Sequence, residues 1–177
     1  MKYFKKLEGE HVYISPMNPE DAEINTKWLN NPNITQYLSV HNSLVSILGE
    51  KDYLENYSKK EWDLCIVKKE NDKLIGNIGL DHVDYKNGTA ELGIFIGEED
   101  ELGKGYGSEA IKLLTNYAFK ELRLHNIGLT VYELNPRAQK AYAKCGFKEY
   151  GRRHGALFRD GEYHDIVYME LINEKKN

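Results

Sequence analysis

His11–Ile14 alternates polar and apolar side chains and predicts a first strand. Behind it Asn18 offers a helix cap, Pro19 suits the first helical position, and Glu20 and Asp21 suit the positive end of a helix. That helix is expected to end near Asn30, because Pro32 disfavours helix in the residue before it. Residues 33–48 show no clear period, and a short helix is expected around Glu50–Tyr57. From Trp62 the pattern is that of strands: Trp62–Val67, Leu74–His82 and Thr89–Ile96. The polar KKENDK stretch and Asn87-Gly88 are the turns between them, which makes an antiparallel meander.

Beyond residue 100 the period lengthens. A helix is predicted from about Gly105 to Leu122, with Ile111, Leu114, Ala118 and Leu122 on one face and Ala110 and Tyr117 beside it. Then come a strand over Ile127–Tyr132, a helix opened by Asn135-Pro136 and stopped by Gly146, and a hairpin turning at Asp160-Gly161. Helices and strands do not strictly alternate, so a doubly wound parallel sheet is disfavoured. The expected fold is α/β (α+β): a mixed, mostly antiparallel, twisted sheet flanked by helices, in a single domain over residues 1–177.

Composition narrows the function. With 41 % hydrophobic and 29 % charged residues the chain is an ordinary globular one. A net charge of −4 gives no field to attract nucleic acid or an anionic membrane, and neither partner is expected. Cys65 and Cys145 lie far apart without a CxxC or Cys/His cluster, so no metal and no disulfide framework are expected. The opening MKYFKKLEGEHVYISP lacks the apolar stretch of a signal peptide, and a cytoplasmic location is expected.

Candidate chemistry begins at Leu102-Gly103-Lys104-Gly105-Tyr106-Gly107-Ser108, between a predicted strand and a predicted helix. Glycines let a backbone approach a ligand closely, and the first N–H groups of a helix, at its positive end, suit a phosphate. The plainer reading is a structural cap. The spacing matches neither the Walker pattern nor the dinucleotide GxGxxG.

Taken together, ELGIFIGEEDELGKGYGSEAIKLLTNYAF and LNPRAQKAYAKCGFKEYG resemble the acetyl-CoA-binding half of the GNAT N-acetyltransferase superfamily, most tightly over residues 89–150. Within it the chain is similar to the ribosomal-protein N-terminal and polyamine acetyltransferases. The family pattern Gln/Arg-x-x-Gly-x-Gly/Ala is met at Gly105 and Gly107, but Leu102 stands in the Gln/Arg position. The resemblance implies that backbone amides of Gly103, Lys104, Gly105, Tyr106, Gly107 and Ser108 hold the pyrophosphate of acetyl-CoA. Lys104 either adds charge there or is a solvated loop lysine. It further implies that the main chain of Ile94, Phe95 and Ile96 pairs with the pantetheine arm, whatever their side chains pack against.

Asn135 and Tyr142 are spaced to share one helix face. By resemblance Asn135 contacts the cofactor arm and Tyr142 directs its hydroxyl at the coenzyme sulfur; the plainer readings are a helix cap and a packed aromatic. Glu91 resembles a family position for the general base, with Asp81, His82 or a water in reserve and a solvent-facing carboxylate as the plain alternative. A phenol near pKa ~10 giving its proton to a thiolate of ~8.5 is uphill by about 2 kcal/mol, which favours hydrogen bonding over full transfer. The implied reaction is direct transfer of an acetyl group to a primary amine: a peptide N-terminus, a polyamine or another small amine. The rival is a catalytically silent acyl-CoA-binding regulatory module. In this family acceptor choice rests on regions that here are residues 15–57 and RRHGALFRDGEYHD. Exposed strand edges would suit a homodimer, as is frequent in the family.

Overall fold

The protein was analysed as a computed structural model that describes residues 2–174. Its strands form one eight-stranded sheet in the order β1-β2-β3-β4-β5-β6-β8-β7. They are β1 (Leu7–Glu8), β2 (Val12–Pro16), β3 (Asp63–Lys68), β4 (Lys73–Asp84), β5 (Thr89–Ile96), β6 (Asn126–Tyr132), β7 (Lys148–Arg159) and β8 (Glu162–Ile172). The helices are α1 (Ala22–Leu29), α2 (Pro32–Thr35), α3 (Ile47–Tyr57), α4 (Tyr106–Lys120) and α5 (Pro136–Lys144). Pairing is antiparallel for β1 with β2, β2 with β3, β3 with β4, β6 with β8 and β7 with β8; β5 and β6 run parallel. The mixed, mostly antiparallel α/β sheet expected from the pattern is the one observed.

Contacts group the chain into two compact units, whose borders fall within β4, β5 and α4. One contains the chain up to Gly79 together with Ile94–Leu114. Its core gathers Tyr3, Tyr13, Trp28, Cys65, Val67 and Leu74, with Ile24 and Phe95 packed against them. Trp28 fixes that core to the end of β5. Its indole donates to Glu98 Oε1 at 2.9 Å, its ring meets Phe95 edge-on, and Gly97 is obligatory because any Cβ there would run into the indole. The other unit contains Leu80–Gly93 and the chain from Thr115. There β6 pairs along its whole length with β8, and Ala118, Leu124, Ile127, Leu129, Val131, Phe147, Val167 and Met169 are buried.

Local signals set most boundaries. Asn18 accepts from Glu20 N–H and opens a 3₁₀ turn, Pro19–Asp21, that leads into α1. Ser46 caps α3 through Gly49 N–H, so the helix starts at Ile47, three residues before Glu50. Pro32 opens α2, which runs into the stretch 33–48 that showed no period; with Asn31 capping it, Pro32 both ends one helix and starts the next. The α4 helix closes at Lys120, so Leu122 lies beyond it and Leu124 takes the buried place.

Candidate active site

The strand β5 and the loop after it are shaped by alternation and by glycine. Phe95 points into the core with Trp28, while Ile94 and Ile96 lie on the other face, beside Gly107. A Cβ on Gly107 would sit 3.7 Å from Ile96 Cγ1 and 3.8 Å from Ile94 Cδ1, so the start of α4 packs directly on the end of β5. Register with β6 covers only Thr89–Glu91 against Asn126–Gly128. Past Glu91, β5 runs on to Ile96 with no further β6 partner, which leaves one edge of its main chain outside the ladder.

Gly103 and Gly105 have φ of +76° and +91°, the left-handed region that favours glycine, and a Cβ at either would meet nothing within 4 Å. The loop is therefore open at its glycines, whose turns are set by backbone conformation and not by packing against them. The first bond into α4 runs from Glu109 N–H to Gly105 O at 3.0 Å, so the N–H groups of Tyr106 and Gly107 precede the helical ladder. Such a terminus, opening a helix of 15 residues, suits an anion such as a diphosphate.

Two glutamates that sequence reasoning did not single out hold this loop. Glu109 accepts from His11 N–H at 2.9 Å and Val12 N–H at 3.3 Å, and pairs with His11 Nδ1 at 3.1 Å. Burial works against the Glu109 carboxylate, but these donors outweigh it and keep its pKa below the ordinary value. Glu101 is buried and bridges Lys104 Nζ at 2.9 Å and Lys68 Nζ at 3.4 Å. The Lys104 ammonium, with Lys68 behind it, holds the Glu101 carboxyl below its usual range. An acidic first turn suits any helix start, so nothing in the sequence marked His11 as the partner of Glu109; the Lys68–Glu101 contact likewise joins residues far apart in the chain.

In the second unit, Asn135 caps α5, its Oδ1 accepting from Ala138 N–H at 3.1 Å. That leaves the amide NH2 outside the cap. Tyr142, on the same face of α5, packs its ring at 6.1 Å from Phe147. Part of Tyr142 is exposed, yet burial pushes its phenol up to about 12, and the Cys145 thiol adds to the rise. Glu91 is exposed on β5, near Tyr150. Asp81 and His82, the reserve bases, are exposed on β4, and His82 has a φ of +51°. Among the described residues no group of His, Cys, Asp and Glu is arranged to hold a metal ion, and no helix is long and apolar enough to cross a membrane.

Comparison with known proteins agrees with this architecture. The acetyltransferase (GNAT) domain model matches residues 11–148. An uncharacterized N-acetyltransferase, p20, of Bacillus licheniformis is 28 % identical over 174 residues, covering 96 % of this chain and 97 % of that protein. The spermidine N(1)-acetyltransferase of Vibrio cholerae is 34 % identical over 110 residues, 62 % of this chain and 63 % of that one. The crystal structure of a spermidine N-acetyltransferase from Vibrio cholerae, in complex with CoA and spermine, superposes with a TM-score of 0.80 at 26 % identity, covering 91 % of this chain and 95 % of the other. The chain belongs to the GNAT acetyltransferase family and is an enzyme of the N-acetyltransferase kind.

Proposed function

We propose that the chain transfers the acetyl group of acetyl-CoA directly to a primary amine, such as a polyamine or a peptide N-terminus. The observation that carries this reading is the open glycine cradle ahead of α4. Two left-handed glycines with empty space around them give a ligand's phosphates unhindered access to the helix-start amides. Residue chemistry within each unit supports this reading: in the first, the N–H groups of Gly103–Ser108 suit a diphosphate and the unladdered edge of β5 at Ile94–Ile96 suits the amides of a pantetheine arm; in the second, the Asn135 amide is, among the described residues, a free donor of the kind such an arm takes.

When bound, acetyl-CoA supplies an activated thioester; the chain's own groups orient it and manage charge. Main-chain N–H groups near Phe95 and Ile96 polarise the acetyl carbonyl in the manner of an oxyanion hole. Tyr142 donates a hydrogen bond to the sulfur as negative charge develops there. With its phenol at about 12 and an ordinary thiol at 8.5, complete proton transfer is uphill by about 5 kcal/mol. Burial that raises the phenol also raises a thiol beside it, which narrows the gap without reversing it. Tyr142 therefore acts chiefly as a donor to developing charge. Glu91, open to solvent, takes a proton from the substrate ammonium through water, and the neutral amine so formed attacks the thioester carbonyl.

The acceptor is drawn from small amines. The likeness to spermidine N-acetyltransferase of Vibrio cholerae, in sequence and in a structure containing CoA and spermine, makes polyamines the first class to test. The experiment is thiol release from acetyl-CoA with a panel of polyamines, peptides with free N-termini and other primary amines. Release that rises with an added amine, with the acetylated product seen by mass spectrometry, is the expected result. Tight CoA binding with no release on any amine would replace this reading with that of a silent acyl-CoA-binding module.

A further inference from the structure

Leu102 stands where the family pattern has Gln or Arg, so this position of the glycine loop carries no polar side chain. Directly before it lies Glu101, a carboxylate only 7 % exposed that is shared by two ammonium groups. Its partner Lys104 belongs to the loop. The other, Lys68, comes from β3, and its Nζ lies 5.9 Å from the ring centroid of Tyr106, the first residue of α4. Lys68 also pairs at 3.0 Å with Glu70, whose side chain is 75 % exposed.

We infer that Lys68 is a second phosphate-binding cation beside the glycine loop, and that the buried Glu101 is the positioning residue that holds Lys68 and Lys104 there together. The inference rests on the reading of the loop as the diphosphate cradle. An ammonium has three N–H donors; Glu101 occupies one on each lysine and Glu70 a second on Lys68, which leaves two on Lys104 and one on Lys68. Flexible lysines ordinarily lose much side-chain freedom on meeting a ligand; two that are already tied to a common buried anchor lose less. Two cations share one buried anion, and the second carboxylate on Lys68 is in solvent, where such pairing is weak. A phosphate that displaced the exposed Glu70 from Lys68 would meet two cations balanced by the one buried carboxylate. The plainer account is that Glu101 only braces the loop and the lysines merely neutralise it.

Calorimetry with CoA and with dephospho-CoA, on the whole protein and at two salt concentrations, separates these accounts. Lys68→Met and Lys104→Met are each expected to weaken CoA binding on the order of tenfold at low salt, and less at high salt. Lys104→Arg, which keeps the charge, is expected to bind within about twofold of the unaltered protein. Equal losses for both ligands place the lysines on the diphosphate; losses for CoA alone place them on the 3′-phosphate. Lys68→Met and Lys104→Met proteins that bind CoA as tightly as the parent at low salt would overturn the inference and leave the cradle intact. An unaltered protein that binds no CoA would overturn the cradle itself, and this inference with it.

Discussion

In the proposed reading the groups ahead of α4 that meet the ligand are main-chain amides, whereas on α5 they are the side chains of Asn135 and Tyr142. The first region depends on conformation: glycines at positive φ, open space around them, and a helix start anchored to β2 through Glu109. In that reading Leu102 costs the loop no amide. The second depends on chemistry that a single atom carries. Tyr142 differs from Phe only in its hydroxyl, and among the described residues that hydroxyl makes no hydrogen bond. Substitutions should therefore fail in different currencies: affinity at the loop, turnover on α5.

The largest effect is expected at Tyr142→Phe. Loss of one donor to developing charge is worth roughly a hundredfold in kcat, with CoA affinity changed by less than about threefold. Stability should change little, since Tyr142 is half-exposed and the ring packed beside Phe147 is kept. Steady-state kinetics beside calorimetry reads both; equal losses in turnover and affinity would erase the distinction between the two regions.

At Gly105→Leu the order reverses. No neighbour clashes with the new side chain, but φ of +91° strains any L-residue by roughly 1–2 kcal/mol. A drop of a few degrees in Tm is expected, with CoA affinity lowered roughly thirtyfold as the side chain enters the cradle. Unchanged affinity would mean that the diphosphate lies elsewhere.

Glu91→Gln tests the proton's route. At pH 7 an alkyl amine of pKa ~10 is almost wholly protonated, so losing the acceptor carboxylate should cost about tenfold in kcat/KM. That deficit should fade as pH rises towards 10, where the amine sheds its proton unaided. A deficit constant across the whole profile would make Glu91 a structural group, as its exposed place on β5 also permits.

The same contrast governs what could be read from the chain. The meander, the long helix and the Asn87-Gly88 and Asp160-Gly161 turns were legible because period and turn chemistry are local. So was the glycine loop. What escaped was long-range: β1 is a pair of residues with no period of its own, and α2 is a single turn. The Lys68–Glu101–Lys104 bridge and the Glu109–His11 pair are set by tertiary placement that no spacing rule encodes. Asn135 is the instructive middle case, because its cap was legible and it is the cap that the structure shows.

Asn135 also gives the smallest and most discriminating effect. Its Oδ1 caps α5, so Asn135→Ala should cost about 1 kcal/mol and lower Tm by roughly 2–4 °C. Asn135→Asp keeps the capping oxygen and adds a negative charge at the positive end of the helix, so stability should be retained. What Asp lacks is the NH2 donor. If that group serves the coenzyme arm, Asn135→Asp binds CoA roughly threefold more weakly at unchanged Tm. If the residue is a cap alone, Asp binds like the parent, and α5 contributes to the site through Tyr142 only.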